Sequence, residues 1–530
     1  MNPTTALSTQ RRELLSRLLK EKGVAASALP PSVAIPRRRD SGPAPLALNQ
    51  EGLWFIEQLA PDTAHYNIPG AVRLQGKLNV SALERTLNEI TKRHEALRST
   101  FVLQANGTPA QIISPPTPAR LPLLDLQALP LAQREAAAKR LATEEAHRPF
   151  NLATGPLFRA QLLRLAAEEH VLILNVHHLV ADGWSLGIFT REWRAFYEAF
   201  VNNNSAQLET LPLQYADFAV WQRQQMAERK FHAPLAYWRQ QLAGNLPALQ
   251  LPTDKPRPQT QSFRGGHHAL KFSQELTDAI RKFARREGTT LYITLLAAFN
   301  VLLHRYTRQN ELVVGSTFAN RNRSELQEVI GFFVNTLPLR NTFSSALSFR
   351  EWLRRVRQTA LEAATHQELP LAKLVQELQP ERDPSRNPFY QVVFDLLTPD
   401  HNPAVYGYGM LSGPVETLEF AGLRVTPFDF DYNVSRFDLS VFIWDLPEGF
   451  AGVCEFCIDL FEPATIAGLM TDFETLLNHI VADPEARVQA LLARLDLETQ
   501  QHQTAAEKTF QTAMHQKLKQ IKRRPIVREN

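Results

Sequence analysis

The chain has 530 residues, 44% of them hydrophobic, and its 58 Lys and Arg against 54 Asp and Glu give a formal net charge of +4. This length and apolar content suffice for two cores of ordinary domain size. The basic residues are dispersed along the chain, which argues against nucleic-acid binding. There is no run of about eighteen uncharged apolar residues and no secretory leader pattern, so we expect a cytoplasmic protein that does not enter membranes.

Residues 1–43 are predicted to lie outside the main body of the protein. A charged helix with recurring leucines is predicted over 9–22, and a proline-rich stretch with the basic run Arg37-Arg38-Arg39 follows it. Proline-rich stretches act as semi-rigid linkers. We interpret the segment as a docking helix on a linker or, alternatively, as a plain N-terminal extension.

Residues 44–220 predict helices and strands in alternation. A helix with an apolar stripe is expected behind the capping pattern Ser81-x-x-Glu84. Further along, the apolar and largely β-branched run 171–176 predicts a buried strand. Apolar residues then recur at spacings of three and four, which predicts an amphipathic helix that begins near Ser185.

The stretch between that strand and that helix is the richest in chemistry, His177-His178-Leu179-Val180-Ala181-Asp182-Gly183-Trp184-Ser185. Neutral imidazole can accept a proton near physiological pH, and adjacent residues in extended backbone point to opposite sides, so one histidine faces a given cavity. Asp182 can orient an imidazole or pair with an arginine, and Gly183 leaves room for a substrate. A histidine pair at a strand end can also be purely structural, but HHxxxDG in this setting favours a catalytic site.

Residues 221–492 repeat the same alternation of element types. Helices are expected near 276–284, 291–303 and 349–364, and strands at 312–315, 389–394, 437–444 and 450–460. The sequence shows no short-period repeat, so any kinship between the two halves must be structural.

The only two cysteines, Cys454 and Cys457, have a C-x-x-C spacing that suggests a redox or zinc site. A zinc site needs two further ligands, and none lies nearby in the sequence. The surrounding residues predict a strand, in which positions three apart face opposite ways. We therefore predict structural cysteines and no metal site.

Residues 493–530 are polar and end in a basic cluster. We predict a linker into a further domain, with a solvated tail as the alternative.

Seven motifs occur in order over roughly residues 44–490, and as a set they resemble the condensation domains of nonribosomal peptide synthetases. They are LALNQEGLWFIEQ at 46–58 with YNIP at 66–69, RHEALR at 93–98, HHLVADGWS at 177–185, YADFAVWQ at 215–222, IGFFVNT at 330–336, HQELP at 366–370 and RDPSRNP at 382–388.

The resemblance implies an α/β fold, with helices layered on sheets in two chloramphenicol-acetyltransferase-like subdomains that form a V-shaped pseudo-dimer. We assign these subdomains to 44–220 and 221–492. The implied reaction forms an amide between an acyl or peptidyl thioester donor and an aminoacyl acceptor, in nonribosomal peptide or hybrid polyketide-peptide biosynthesis. Both substrates would arrive on phosphopantetheine arms of partner carrier proteins from adjacent synthetase domains or modules, and the domain itself would bind no cofactor.

The resemblance also implies residue roles. His178 is the expected catalytic residue, either as a base, as a positioner of the acceptor amine or as a stabiliser of the tetrahedral intermediate. His177 would support the loop and Gly183 would give the substrate clearance. Asp182 would act as a structural brace that needs a cation, because a buried carboxylate is costly unless paired. Arg321 is the expected partner.

Other residues are assigned secondary roles. Trp184 and Ser185 would support the motif. Arg93, Arg98 and Asn335 are candidates for the substrate tunnel, although arginines at element ends often serve solvation and Asn335 can equally be a turn-capping amide. Arg323 could replace Arg321 as the cation.

Two features depart from the family pattern. Residues 47–52 lack the serine-phenylalanine-alanine run and the arginine usual in relatives, and Ala181 replaces a serine of the subtype that joins two L-configured units. The opening motif still fits that subtype, or a starter type that takes a fatty acyl or polyketide donor.

Two other functions stay open. One is a free-standing acyltransferase that uses coenzyme A or a carrier and forms an ester or amide on a small molecule. The other is a docking platform without catalysis. The later motifs argue against the first, and the complete HHxxxDG motif argues against the second.

Overall fold

A computed structural model describes five stretches of the chain, residues 34–228, 231–244, 246–381, 383–397 and 417–501. The predicted helix over 9–22 and residues 502–530 of the predicted linker lie outside these stretches. Residues 488–501 are helical, and Leu491 and Leu495 are buried in the core. The predicted end of the second subdomain at residue 492 is therefore too early, because Leu495, which lies beyond it, still packs into the core.

The first half of the chain contains twelve α-helices and β-strands within its described residues. In chain order they are β1 (Ala44–Pro45), α1 (Leu48–Leu59), β2 (Asn67–Gln75), α2 (Val80–Arg93), β3 (Ser99–Leu103), β4 (Pro109–Ile113), β5 (Leu123–Asp125), α3 (Leu131–Ala146), β6 (Phe158–Ala166), β7 (Glu169–His177), α4 (Gly183–Val201) and α5 (Tyr215–Ala227).

The second half follows the same alternation, and its main described elements end with a long helix. They are α6 (His232–Gln241), β8 (Gly265–Lys271), α7 (Gln274–Arg286), α8 (Leu291–Thr307), β9 (Glu311–Phe318), β10 (Asn335–Thr342), α9 (Phe349–Thr365), α10 (Leu371–Leu378), β11 (Val392–Leu397), β12 (Leu418–Phe420), β13 (Leu423–Pro427), β14 (Leu439–Leu446), β15 (Gly449–Cys457) and α11 (Pro463–Ala482).

Two six-stranded sheets form the framework of the fold. Their strand orders are β12-β13-β2-β7-β6-β5 and β10-β9-β11-β14-β15-β8, and β1, β4 and β3 make a smaller sheet. Most neighbours are antiparallel, but β11 runs parallel to β9 and β14, and β5 runs parallel to β6. The predicted α/β class with a layered sheet in each subdomain is confirmed.

Each half has its own apolar core. In the second half, Phe299 of α8 stacks on Phe394 of β11 with ring centroids 5.0 Å apart, and both are fully buried. In the first half, Trp193 and Tyr197 of α4 pack against Phe420 of β12. Burial of such aromatic side chains is a main source of stability for a domain of this size.

Two segments from the second half of the chain pack with the first half. Strand β13 pairs with β2, so residues 418–427 extend the first sheet although they come late in the chain. Residues 326–333 bury Leu326, Val329 and Phe333 in the core of the first half. The predicted assignment of all of 221–492 to the second subdomain is therefore wrong for both segments. Backbone pairing with β2 and apolar contact with the first core decide where these segments lie.

Two helix starts differ from prediction. Helix α2 begins at Val80, and the side chain of Asn79 accepts a hydrogen bond from the Ala82 amide at 2.9 Å, so Asn79 is the N-cap and Ser81 is not. Helix α4 begins at Gly183 because Asp182 caps it, two residues before the predicted start near Ser185.

Two strand ends also differ. Strand β11 begins at Val392 and not at the predicted residue 389, since Phe389 has a φ of 70°, which a strand does not accommodate. Strand β15 ends at Cys457, where the chain turns before α11.

Cys454 and Cys457 are buried free thiols, and burial raises the pKa of each. Among the described residues, no group of three or more His, Cys, Asp or Glu side chains is placed to hold a metal ion. In the same residues, no helix combines the length and apolar character that crossing a membrane requires.

Helices α1 and α10 pack directly on each other at Gly52. A Cβ atom at this position would lie 2.6 Å from Cβ of Ala372. We expect Gly52→Ala to lower the free energy of unfolding by about 1–3 kcal/mol, because neither backbone can move away freely. Urea unfolding measures this loss.

The matched control is Gly468→Ala in α11, where an added Cβ would meet no atom within 4 Å and the residue is exposed. Alanine favours a helix over glycine by about 1 kcal/mol, so this variant should gain stability. Equal effects of the two substitutions would contradict the close packing at Gly52.

Candidate active site

His177 is the last residue of β7 and faces the interior. Its Nδ1 accepts a hydrogen bond from the Leu179 amide at 3.1 Å, so the proton of the neutral ring is on Nε2. Nε2 lies 3.7 Å from Oε1 of Glu57, which is itself only 6% exposed. The ring of Phe150 packs edge-on against the imidazole. His177 thus contacts Leu179, Glu57 and Phe150 and fixes the turn that follows β7.

His178 lies one residue beyond the strand and is partly exposed. Its amide donates to the carbonyl of Tyr66 at 2.8 Å, and its ring packs edge-on against Phe332 with centroids 5.0 Å apart. No other described residue forms a hydrogen bond with its ring nitrogens, and Nδ1 is buried. The imidazole therefore retains hydrogen-bonding capacity for another molecule.

The electrostatic surroundings keep the His178 imidazole neutral. Burial lowers the pKa of His178 to about 3, and the positive charge of Arg436 acts in the same direction. The carboxylate of Asp182 opposes both effects, and neighbouring His177 adds a small lowering. At neutral pH the ring is an unprotonated acceptor and donor of hydrogen bonds.

Asp182 is 1% exposed, and both oxygens of its carboxylate accept hydrogen bonds. Oδ1 accepts from the Ser185 amide at 2.9 Å, from Oγ of Ser185 at 2.7 Å and from Nη2 of Arg321 at 3.1 Å. Oδ2 accepts from the amides of Phe333 at 3.0 Å and Val334 at 3.3 Å. This carboxylate therefore joins the two halves of the protein and makes no hydrogen bond with the imidazole of His178.

Arg321 completes the connection from the second half. Its side chain is 1% exposed, and Nη1 donates to the carbonyls of Leu326 and Val329, each at 2.6 Å. The guanidinium lies 4.1 Å from the ring centroid of Phe333. Burial lowers the pKa of Arg321, and Asp182 counteracts this. The arginine thus fixes the 326–333 segment at the same point at which it meets Asp182.

Residues 330–332 are held by both halves. Ser185 Oγ lies 3.1 Å from the amide and 3.0 Å from the carbonyl of Gly331. The Tyr215 hydroxyl donates to the carbonyl of Phe332 at 2.6 Å. The Tyr215 ring covers Gly331 so closely that a Cβ there would lie 1.9 Å from it. Glycine is required at 331 because this ring occupies the space of a side chain.

The opening motif takes part in the same arrangement. Nδ2 of Asn49 donates to the carbonyls of Phe333 at 3.3 Å and Val334 at 2.8 Å. Nε2 of Gln50 donates to the carbonyl of Leu179, inside the histidine motif, at 2.9 Å. These contacts of Asn49, Gln50 and Tyr215 are not predictable from the sequence. The only sign of a role in the sequence is that these residues belong to the motifs at 46–58 and 215–222. The motifs do not indicate which backbone groups the side chains bind.

Gly183 and Trp184 follow the capping aspartate. An added Cβ at Gly183 would meet no atom within 4 Å, so the space beside it is open. Nε1 of Trp184 donates to the carbonyl of Gln327 at 2.9 Å and ties α4 to the segment that also holds Arg321.

Two arginines are occupied elsewhere. Arg323 pairs with Glu325 at 3.0 Å and is not the partner of Asp182. Arg93 donates to Glu192 at 2.9 Å and to the carbonyl of Glu209 at 2.6 Å. Glu192 lies nine residues past Gly183, about 14 Å along α4 at 1.5 Å per residue. The structure does not bring Arg93 to the histidine motif.

Arg98 and Asn335 also bind backbone groups away from residues 177–185. Arg98 donates to the carbonyl of Ser114. Nδ2 of Asn335 donates to the carbonyls of Gln367 at 2.9 Å and Leu369 at 2.8 Å, just before α10. These bonds are those of a turn-capping amide, the alternative considered for Asn335, and a tunnel role for Arg98 stays a prediction.

We expect Asp182→Ala to lower the free energy of unfolding by about 3–5 kcal/mol, because it leaves the buried Arg321 without its counter-charge. The double variant Asp182→Ala/Arg321→Met should lose less than the sum of the two single losses, since it removes both charges. Urea unfolding measures all three variants.

The control is Glu144→Ala, which breaks the exposed i,i+4 pair with Arg140. Exposed pairs of this kind contribute about 0.3–0.5 kcal/mol. A loss for Asp182→Ala as small as that of the control would show that the two halves do not depend on the buried pair.

The profile of the condensation domain family matches residues 41–502. The chain is 42% identical over 511 residues to one of the linear gramicidin synthase proteins of Brevibacillus parabrevis, a match that covers 95% of this chain and 6% of that protein. It is 43% identical over 444 residues to chondramide synthase of Chondromyces crocatus, a match that covers 84% of this chain and 11% of that protein. The chain thus spans a small fraction of these relatives.

The X-domain from teicoplanin biosynthesis, also solved in complex with OxyB, superposes with a TM-score of 0.76 at 28% identity. The match covers 86% of this chain and 99% of that domain. It accords with the two-sheet framework described above. By its matched length, its ordered motifs and its fold, the chain belongs to the condensation domain family of nonribosomal peptide synthetases.

Proposed function

We propose that this condensation domain joins a carrier-bound acyl or peptidyl thioester to the amine of a carrier-bound aminoacyl thioester, with His178 in contact with that amine. The amine nitrogen attacks the thioester carbonyl, the C–N bond forms and the C–S bond breaks. The donor phosphopantetheine leaves as a thiol after taking up a proton, and the lengthened chain stays on the acceptor carrier. Condensation domains as a class are acyltransferases that form peptide bonds.

The proposal is carried by a difference between the two histidines in how their rings are bonded to the protein. The ring of His177 is engaged by Leu179 and Glu57, whereas the ring of His178 is partly exposed and forms no hydrogen bond with another described residue. A neutral ring with unused nitrogens can accept a hydrogen bond from an amine N–H. Open space beside Gly183 supports its proposed role in clearance for the substrate.

Among the three roles considered for His178, the electrostatics favour positioning of the amine. Since the pKa of His178 is about 3, the imidazole is a far weaker base than an α-amine, whose pKa is about 8. Proton transfer from an ammonium group to this ring is therefore strongly uphill. Alignment of two tethered reactants by itself supplies a large rate advantage.

The carriers and neighbouring domains are part of the proposal. The relatives are many times longer than this chain, which supports donor and acceptor carrier proteins from adjacent domains or modules as partners. The phosphopantetheine arms would belong to those carriers, and no cofactor would be bound by this domain. A cytoplasmic location and the subtype, either L-to-L or starter, stay predictions.

A docking platform is the second candidate, because the similar X-domain was solved in complex with OxyB. In this chain both histidines, the aspartate and the glycine of HHxxxDG are present, and His178 is accessible. These features favour catalysis.

We expect His178→Ala to reduce condensation by about 100-fold or more while the urea midpoint stays near that of the wild type, because the ring holds the amine but forms no hydrogen bond with another described side chain. Mass spectrometry of the acceptor carrier, after mixing with a loaded donor carrier, measures the product. Normal product from His178→Ala would exclude the assigned role, and no product from the wild type with any donor would favour the docking platform.

We also expect the wild type to consume a carrier-bound acyl group and to leave the same acyl group on coenzyme A unused, because a condensation domain takes substrates from docked carriers. Parallel reactions, one with an aminoacyl carrier as acceptor and one with a small free amine, distinguish condensation from free-standing acyl transfer. Consumption of acyl-coenzyme A with the free amine would favour the free-standing acyltransferase instead.

A further inference from the structure

The backbone of His178 is held from outside its own motif. Its amide binds the carbonyl of Tyr66, in the stretch that leads into β2. Arg436, from the second half, donates through Nε to the carbonyl of His65 at 2.9 Å and through Nη2 to that of Asn67 at 3.4 Å. The guanidinium therefore binds the carbonyls on either side of the Tyr66 carbonyl, which holds the His178 amide.

A second side chain reaches the same stretch but carries no charge. The hydroxyl of Tyr432 lies 3.1 Å from the carbonyl of Ala64 and 3.0 Å from that of Asn67. Residues 432–436 thus act as one clamp on residues 64–67. Tyr432 binds this stretch without adding a positive charge. Substitution of Tyr432 therefore separates loss of the hydrogen bonds from loss of the charge of Arg436.

The guanidinium of Arg436 binds backbone carbonyls. Among the described residues, no carboxylate oxygen lies within 4 Å of its guanidinium. It stands over the ring of Tyr66 with its Cζ 5.4 Å from the centroid. An uncompensated cation beside a partly buried imidazole disfavours the protonated ring.

The other charged groups around His178 do not replace this effect. Asp182 faces the ring with the opposite sign, but Arg321 and two backbone amides bind its carboxylate. His177 lies alongside. The nearby His65 has a lowered pKa, mainly because it is buried. Glu57 opposes this lowering, whereas the charge of Arg436 adds to it. Arg436 is thus the cation that acts on both His178 and His65.

We propose that Arg436 is a positioning residue for condensation: it fixes the backbone stretch whose carbonyl holds His178, and its charge opposes protonation of the imidazole that receives the acceptor amine. The proposal rests on the function proposed above for His178. Arg436 lies outside all seven sequence motifs.

The test follows the Cε1 resonance of His178 by NMR in ¹³C-histidine-labelled protein, with His178→Gln for assignment. In the wild type the resonance should not move between pH 8 and pH 5. In Arg436→Gln the midpoint should rise by about one pH unit or more, so that at pH 5 about a tenth of the ring or more is protonated, against about a hundredth in the wild type, and the resonance moves accordingly. Arg436→Lys keeps the charge and should behave as the wild type.

Tyr432→Phe is the matched control, because it loosens the same backbone stretch and retains the cation. Its His178 resonance should stay unmoved. A resonance in Arg436→Gln that follows the wild type at every pH would overturn the electrostatic role, and equal shifts in Tyr432→Phe and Arg436→Gln would overturn it as well. The titration does not depend on turnover, so normal condensation by His178→Ala would refute the proposed function alone.

Discussion

The buried contact between Asp182 and Arg321 is the constraint on which the site depends. Taking two charges out of water is costly, so such a pair contributes little net stability, but it is intolerant of any arrangement that separates its partners. Here the carboxylate also binds the amides of Phe333 and Val334, and the guanidinium binds carbonyls of the 326–329 turn. One aspartate thereby caps α4, closes the first half on the second and sets the position of the histidine motif.

Around this contact the site separates support from chemistry. His177 and Asp182 have their polar atoms used by the protein, whereas the His178 ring has none of its nitrogens bound by another described residue. Phe332, which packs against that ring, belongs to the segment fixed by Tyr215 and Ser185. The reactive side chain is thus positioned by its neighbours' hydrogen bonds, a preorganisation that leaves its own capacity for the substrate.

The two segments from the second half that pack with the first half explain why the two halves act as one unit. Strand β13 extends the first sheet and the 326–333 segment fills the first core, so backbone hydrogen bonds and apolar burial both cross the boundary. Arg436 and Tyr432 add polar contacts to residues 64–67 from the same side. A site formed between two domains needs such crossing contacts, because loosely packed domains move relative to each other.

The sequence by itself determined the family, the two-sheet class, five of the eleven labelled α-helices and the motif that holds His178, because periodicity and short motifs are local properties of a chain. It misplaced the cap of α2 and the start of β11, where the choice between Asn79 and Ser81 and the positive φ of Phe389 depend on the surrounding packing. Only the tertiary structure decided that residues 418–427 join the first sheet, that Asn335 caps a turn, and that Arg436 binds the stretch whose carbonyl holds the His178 amide. Those contacts join residues far apart in the chain, and their geometry is fixed by packing that no local pattern encodes.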